Sequence, residues 1–149
     1  MIERTFVMIK PDGVGRGLVG ECIRRFERRG LKLIGLKMQR LTESKAALHY
    51  KEHAGKAFYD ALIAFITSGP TVQMVWEGND AIKQVREMNG ATNCLEAAVG
   101  TIRGDFGLSH QKNLIHASDG PETAVREIAL YFDESELVDY ELLCPEWLQ

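Results

Sequence analysis

Apolar positions recur along the chain in two rhythms, and each change of rhythm marks an element. Thr5 to Ile9 is an apolar run of strand length, stopped by the turn formers Lys10-Pro11-Asp12-Gly13. Leu18, Val19, Cys22, Ile23 and Phe26 then fall at helical spacing, with Arg24, Arg25, Glu27, Arg28 and Arg29 on other faces and Gly30 closing the helix. Leu31 to Gln39 reads as a second strand, broken by Gly35. Thr42 is placed to cap a helix running to about His53, with Gly55 interrupting it, and Phe58 to Thr67 is another helical segment that stops at Ser68-Gly69-Pro70. Thr71 to Trp76 predicts a third strand. Asn79 then caps a helix with Ile82, Val85 and Met88 on one face, ended by Gly90. After an irregular segment, 91–112, Asn113 to Ala117 predicts a fourth strand. Pro121 to about Tyr131 follows as a helix with Ala124, Ile128 and Tyr131 on one face. The tail from Phe132 holds Leu137, Val138, Tyr140, Leu142, Leu143 and Trp147, too apolar a set to lie free, and is expected to dock on this subunit or a neighbour.

The order β-α-β, a helical pair, then β-α-β-α describes two related crossover units in one sheet. Right-handed crossovers in both halves give an α+β fold. The expectation is a ferredoxin-like α/β sandwich: a four-stranded antiparallel sheet (βαββαβ) with helices on one face, added helices and a C-terminal tail. No repeat, low-complexity stretch or linker divides the sequence, so residues 1–149 are expected to form one domain.

Composition narrows the function classes. With 45% hydrophobic and 26% charged residues the chain is of ordinary soluble type. The net charge of -3 gives no global field for nucleic acid or an anionic membrane, so any phosphate binding must be local. Cys22, Cys94 and Cys144 form no C-x-x-C pair and cannot all be bridged, which fits a reducing compartment. The opening residues are strand-like and are not read as a signal peptide. No apolar run approaches the roughly 20 residues that span a bilayer. A cytoplasmic location with no membrane partner is expected.

Two motifs invite other readings. Gly15-Arg16-Gly17-Leu18-Val19-Gly20 matches a dinucleotide-binding fingerprint, but the second strand ends without the acidic residue that holds a ribose hydroxyl, so it reads as a turn leading into a helix. His49-Tyr50-Lys51-Glu52-His53 has the spacing of a zinc pair, yet no third ligand is marked elsewhere, and solvated histidines are the plainer reading. The stretch from Gly100 to Asp119 carries more. It sets His116 just ahead of the helix start Ser118-Asp119-Gly120-Pro121, where backbone N–H groups favour an anion. A histidine is largely neutral, and so nucleophilic, near physiological pH. A phosphate-handling histidine is the reading this supports.

Several separated blocks then resemble one family, the nucleoside diphosphate kinases, over essentially the whole chain. They are Ile9-Lys10-Pro11-Asp12-Gly13, Arg16-Gly17-Leu18-Val19-Gly20, His49-Tyr50, Ser68-Gly69-Pro70, Met74-Val75-Trp76-Glu77-Gly78, Gly100-Thr101-Ile102-Arg103-Gly104-Asp105-Phe106 and Asn113-Leu114-Ile115-His116-Ala117-Ser118-Asp119. The resemblance implies ping-pong transfer of the γ-phosphate of a nucleoside triphosphate, mainly ATP, to a nucleoside diphosphate. The phosphoryl group would be held as phosphohistidine at His116, oriented by Glu127, with Tyr50 close by and Ser118 beside the glutamate. Arg86, Thr92 and Arg103 match phosphate ligands, Lys10 and Asn113 the residues that hold the sugar hydroxyls, and Phe58 the aromatic on which the base stacks. Mg2+ is implied, bridging nucleotide phosphates with no protein cage. The family forms hexamers or tetramers, and the long tail resembles the hexameric kind.

Three departures from the family pattern stand out. Ala117 replaces a usual glycine, which matters if that position needs positive φ. Cys94 and Val99 stand where prolines are common, in a loop the family uses for subunit contacts. The competing reading is a nucleotide-binding regulatory or nucleic-acid-binding homologue with little kinase activity. Loss of His116, Glu127 or a phosphate arginine would favour it, and all are present. Glu21 and Glu27 interleave the arginines at 24–29, so no nucleic-acid partner is favoured.

Overall fold

A computed structural model describes residues 1–147; the last two positions of the expected docking tail, Leu148 and Gln149, lie outside the described residues. The elements are β1 (Ile2–Ile9), α1 (Pro11–Gly15), α2 (Val19–Arg28), β2 (Lys32–Gln39), α3 (Glu43–His49), α4 (Tyr59–Ile66), β3 (Thr71–Asn79), α5 (Ala81–Asn89), α6 (Ile102–Phe106), β4 (Ile115–Ala117) and α7 (Pro121–Tyr131). Short 3₁₀ turns lie at Lys51–His53, Glu134–Glu136 and Pro145–Trp147. The strands form one sheet in the order β2-β3-β1-β4, every neighbouring pair antiparallel. That is the ferredoxin-like βαββαβ arrangement the hydropathy pattern predicts.

Alternation along the strands builds two cores. Val7 and Ile9 of β1, with Met74 and Trp76 of β3, face α2 and α5, and Phe26 meets Trp76 with ring centroids 5.2 Å apart. Phe6 and Met8 point to the opposite face, where Ala46 of α3, Ile66 of α4 and Tyr131 of α7 cover them. The two crossover helices therefore share one face as expected, and α3, α4 and α7 close the other. Among the described residues, no helix is long and apolar enough to cross a membrane.

Boundaries differ from the sequence reading where local chemistry overrides periodicity. Pro11 starts a short helix, α1, where a plain turn is expected, because its ring presets φ and it lacks the N–H a first turn leaves unused. Asn79 does not cap α5. It ends β3, and Asp80 takes the N-cap position at φ 49°. The Ile82 N–H is capped instead by Glu3 Oε1 from β1 at 3.0 Å, a pairing that local pattern cannot reveal. α3 stops at His49, and the chain tightens into the 3₁₀ turn that carries His53. The segment expected to be irregular contains α6, whose cap, Thr101 Oγ1, accepts the Gly104 N–H at 3.0 Å.

The first part of the tail docks on its own subunit along β2. Val138 N donates to Ile34 O at 2.8 Å, Tyr140 Oη to Leu33 O at 2.6 Å, and Lys37 pairs with Glu136 at 2.8 Å. Gly35 does not break β2 but sits at a shift in its register against β3, and a Cβ there would lie 2.9 Å from Leu137 and 3.1 Å from Phe132, so the glycine clears the path for the tail. Beyond that point Leu143 and Trp147 are exposed.

Thr42 Oγ1 accepts the Lys45 N–H at 3.2 Å at the start of α3. Thr42→Ala is expected to cost about 1 kcal/mol of unfolding free energy. Urea denaturation should show the loss as a lowered midpoint at unchanged slope.

Candidate active site

The site lies where β1 runs into α1 and the chain enters β4. Lys10 donates its backbone N–H to Leu114 O at 2.8 Å, and Asp12 Oδ2 accepts the Leu114 N–H at 3.1 Å. Leu114 is thereby held at φ 74°, a left-handed conformation that a bulky side chain rarely adopts. Gly13 permits the approach, since a Cβ there would lie 2.9 Å from Leu114 O. The residues flanking this pinned position carry the polar groups. Asn113 Oδ1 accepts from Lys10 Nζ at 2.8 Å, and its Nδ2 donates to Thr92 O at 3.1 Å. His116 sits in β4 opposite Met8 of β1.

Arg103, on α6, ties the loop to the strand. Its Nε donates to Asn113 O at 3.3 Å, Nη1 to Gly90 O at 2.9 Å and Nη2 to Ile115 O at 2.5 Å. One N–H on each terminal nitrogen remains for a ligand. Gly90 holds φ 85°, and a Cβ there would lie 2.4 Å from Thr101 Oγ1, so only glycine ends α5 this way. Arg86, on α5, makes no ion pair or side-chain hydrogen bond among the described residues. Glu127, on α7, is 2% exposed and accepts on both oxygens, from His116 Nε2 at 2.8 Å and Ser118 Oγ at 2.6 Å. Burial pushes the Glu127 carboxyl up, but the hydrogen bonds and charges of His116, Ser118 and His49 outweigh it and hold the group below the usual range.

These side chains converge on a cavity of about 360 Å³. Lys10, Tyr50, Arg86, Thr92, Arg103, Asn113, His116 and Glu127 line it as the sequence leads one to expect. Ser118 lies behind Glu127, fully buried. Phe58 is not on the wall. It is half exposed, with its ring centroid 5.5 Å from His53, which does line the cavity. Burial dominates the electrostatics. It pushes Lys10 down to about 8, aided by Arg103 and opposed by Asp12, and pushes Arg103 down to about 10. Burial also raises the Tyr50 phenol to about 12, so it stays protonated and neutral near pH 7.

His49 and His53 do not behave as a pair. His49 is buried, its Nδ1 is 3.0 Å from Tyr131 Oη, and its ring meets that of His116 edge-on at 4.7 Å. Burial, reinforced by the nearby His116, pushes His49 down to about 3 and keeps it uncharged. The nearest ligand atoms of His49, His116 and Glu127 lie within 4.8 Å of one another. Glu127 is taken by Ser118 and His116, and His49 by Tyr131, so His49 meets the His116–Glu127 pair through its ring edge and not through a hydrogen bond. Sequence reasoning set His49 aside as solvated and passed over Arg126 and Asn89, which also line the cavity. A signal existed for Asn89: it continues the buried Ala81–Val85 stripe of α5, where an apolar residue belongs.

The nucleoside diphosphate kinase family model matches residues 3–137. The chain belongs to the nucleoside diphosphate kinase family. It is 57% identical to the nucleoside diphosphate kinase of Carboxydothermus hydrogenoformans, over 99% of each chain. It is equally similar to that of Bacillus licheniformis, again over 99% of each. A solved structure of a halophilic nucleoside diphosphate kinase from Halobacterium salinarum in complex with CDP superposes with a TM-score of 0.97 at 52% identity, covering 100% of this chain and 99% of that one. A nucleoside diphosphate kinase from Aquifex aeolicus superposes at 0.90 with 43% identity, over 93% of this chain and 100% of that one. The protein is thus a phosphotransferase acting on nucleotides. Of the family departures, Ala117 lies within β4 and is absent from the residues with positive φ, so its methyl imposes no backbone strain. Cys94 is buried against Gly107, and Val99 is exposed.

Because Lys10 titrates at about 8, its charge is available to a phosphate ligand below that pH and is lost above it. The dissociation constant for ADP is expected to be flat from pH 6.5 to 7.5 and then to rise, by at most about tenfold per pH unit. Calorimetric titration across pH 7–9 checks this, and Lys10→Arg should flatten the profile.

Proposed function

We propose that His116 carries the phosphoryl group between nucleotides, attacking through Nδ1. The observation that supports this is the His116–Glu127 hydrogen bond. A carboxylate held ionised can only accept, so Nε2 bears the proton and Nδ1 presents its lone pair. Nδ1 attacks the γ-phosphorus of a nucleoside triphosphate, mainly ATP. The bond from phosphorus to the β–γ bridging oxygen breaks, and the nucleoside diphosphate departs with that electron pair. A terminal phosphate oxygen of a second nucleoside diphosphate then attacks the phosphohistidine and returns the imidazole to its starting state. Glu127 keeps the ring in one tautomer and offsets the positive charge that develops on it. Ser118 holds Glu127 from the far side.

Arg86, Arg103 and Thr92 bind and orient the phosphates, where positioning and charge neutralisation supply most of the rate. Lys10 and Asn113, linked to each other at 2.8 Å, meet the sugar hydroxyls near the reacting phosphate. Tyr50 packs edge-on against His49 at 4.7 Å and closes the side of the site next to His116. Phe58, with half its surface open, stacks the base, and a stacking face serves purines and pyrimidines alike. Of the carboxylates on the cavity wall Glu127 is taken by His116 and Ser118, and Lys10, Arg86, Arg103 and Arg126 share the lining with Glu52 and Asp119, so Mg2+ is assigned to the nucleotide's phosphates and not to a protein cage. When bound it would neutralise charge on the phosphates that Arg86, Arg103 and Thr92 hold.

The chain acts as one domain in a cytoplasmic homo-oligomer, a hexamer in preference to a tetramer. Leu36 and Met38 on the edge strand β2, Leu95 and Val99 in the 91–101 loop, and Leu143 and Trp147 in the tail are apolar and exposed, which supports assembly through these surfaces. Light scattering of the purified protein should give six times the chain mass.

The deciding experiment mixes protein with γ-labelled ATP and Mg2+, removes free nucleotide and adds GDP. The expected result is an acid-labile, base-stable protein label that GDP chases into GTP. His116→Ala should take no label, and Glu127→Gln should label at least about tenfold more slowly. Absent label with intact ADP binding would return the protein to the binding-homologue reading.

A further inference from the structure

Segment 51–58 follows Tyr50 and carries His53, which lines the cavity, and Phe58, whose ring centroid lies 5.5 Å from that of His53. Every residue of it except His53 is exposed. Its hydrogen bonds are local. The N–H groups of His53, Ala54 and Lys56 donate to Tyr50 O at 2.8 Å, Lys51 O at 3.3 Å and His53 O at 3.0 Å, and Lys56 Nζ lies 3.2 Å from His53 Nδ1. Such contacts shape the segment without fixing where it lies against the body of the protein, and a stretch of this kind is cheap to displace. Among the described residues, one polar contact leads from it to a distant part of the chain. Arg126 Nη2, on α7, is 3.9 Å from Glu52 Oε1, and both side chains line the cavity. The next residue of α7, Glu127, holds His116.

We infer that Arg126 and Glu52 are positioning residues: their ion pair, spanning the cavity from α7 to the 3₁₀ turn, sets segment 51–58 so that Phe58 meets the nucleotide base. One helix then sets both ends of the site, the reacting ring through Glu127 and the base platform through Arg126. A pair with one partner 73% exposed is weak in itself, and its weight here comes from the scarcity of other ties on the segment. The inference rests on the nucleotide reading of this cavity and on Phe58 as the stacking residue.

The test measures ADP affinity and single-turnover labelling from γ-labelled ATP for Glu52→Gln, Arg126→Gln and the double variant, and repeats Glu52→Gln with Phe58→Ala. Each single substitution should raise the ADP dissociation constant by the same factor, about two- to fivefold, and the double variant by no more than either. The ATP concentration giving half-maximal labelling should rise in step while the maximal rate holds, because His116 and Glu127 are untouched. In the Phe58→Ala background Glu52→Gln should cost nothing further. Opposite effects, with Arg126→Gln weakening ADP and Glu52→Gln tightening it, overturn the inference. Arg126 would then act on phosphate directly, with Glu52 competing for it. Unchanged affinity in both single variants overturns it too, as does a Glu52→Gln loss that persists in full without the Phe58 ring. Wild-type protein that binds no ADP at all defeats the nucleotide reading itself, an outcome distinct from the loss of the pair's part in it.

Discussion

A carboxylate at 2% exposure has to be paired, and the geometry around Glu127 follows from that requirement. α7 presents Glu127 on the stripe that also buries Ala124 and Tyr131, so the charge is carried into the protein by helix periodicity. Once there it takes Ser118 on one oxygen and His116 on the other. The histidine is then committed to one tautomer before any substrate arrives. Preorganisation of this kind is set at folding and needs no rearrangement at the moment of reaction.

The opposite wall shows the same logic with the sign reversed. Lys10 and Arg103 are cations whose burial depresses their pKa, which measures how poorly the empty site solvates positive charge. An anion entering the cavity relieves that deficit, so the site is electrostatically complementary to phosphate before it is occupied. His49 belongs to this balance. A second charged ring 4.7 Å from His116 would oppose the cation that the proposed transfer forms there, and burial keeps His49 neutral. The metal-like H-x-x-E-H spacing thus conceals a spacer whose value is to remain uncharged.

The sheet, its order and the helix Pro121–Tyr131 were legible because their cues are local and strongly periodic. So were the polar groups of the site, through family blocks that survive along the chain. What escaped depends on contacts between distant segments. Glu3 caps α5 across 79 positions, which no window on the sequence includes. The 91–112 segment looked irregular because α6 is only five residues long and is specified by Thr101 and by backbone packing. A Cβ on Gly104 would lie 1.9 Å from Ala98 O, so a glycine there fixes the loop as surely as an apolar stripe fixes a helix. Phe58 shows the converse, since its family match is clear while its side chain stands away from the cavity wall in the chain alone.

Three local costs gather at one end of the sheet: left-handed Leu114, the unpartnered amide of Asn89, and two poorly solvated cations. Each is worth on the order of 1–3 kcal/mol, against a total stability of about 5–15 kcal/mol for a domain of this kind. The rest of the molecule is built to carry them. Two apolar cores sandwich the sheet, and β1 lies in its interior, paired to β3 along its length and to β4 beside the site. The strained residue is pinned at the junction of β1 and α1, by the Lys10 N–H and Asp12, so its conformation is imposed by a segment continuous with the central strand. With the energetic deficits gathered at this cavity and the apolar cores beneath them, the proposed nucleotide would stabilise the fold where it is locally weakest.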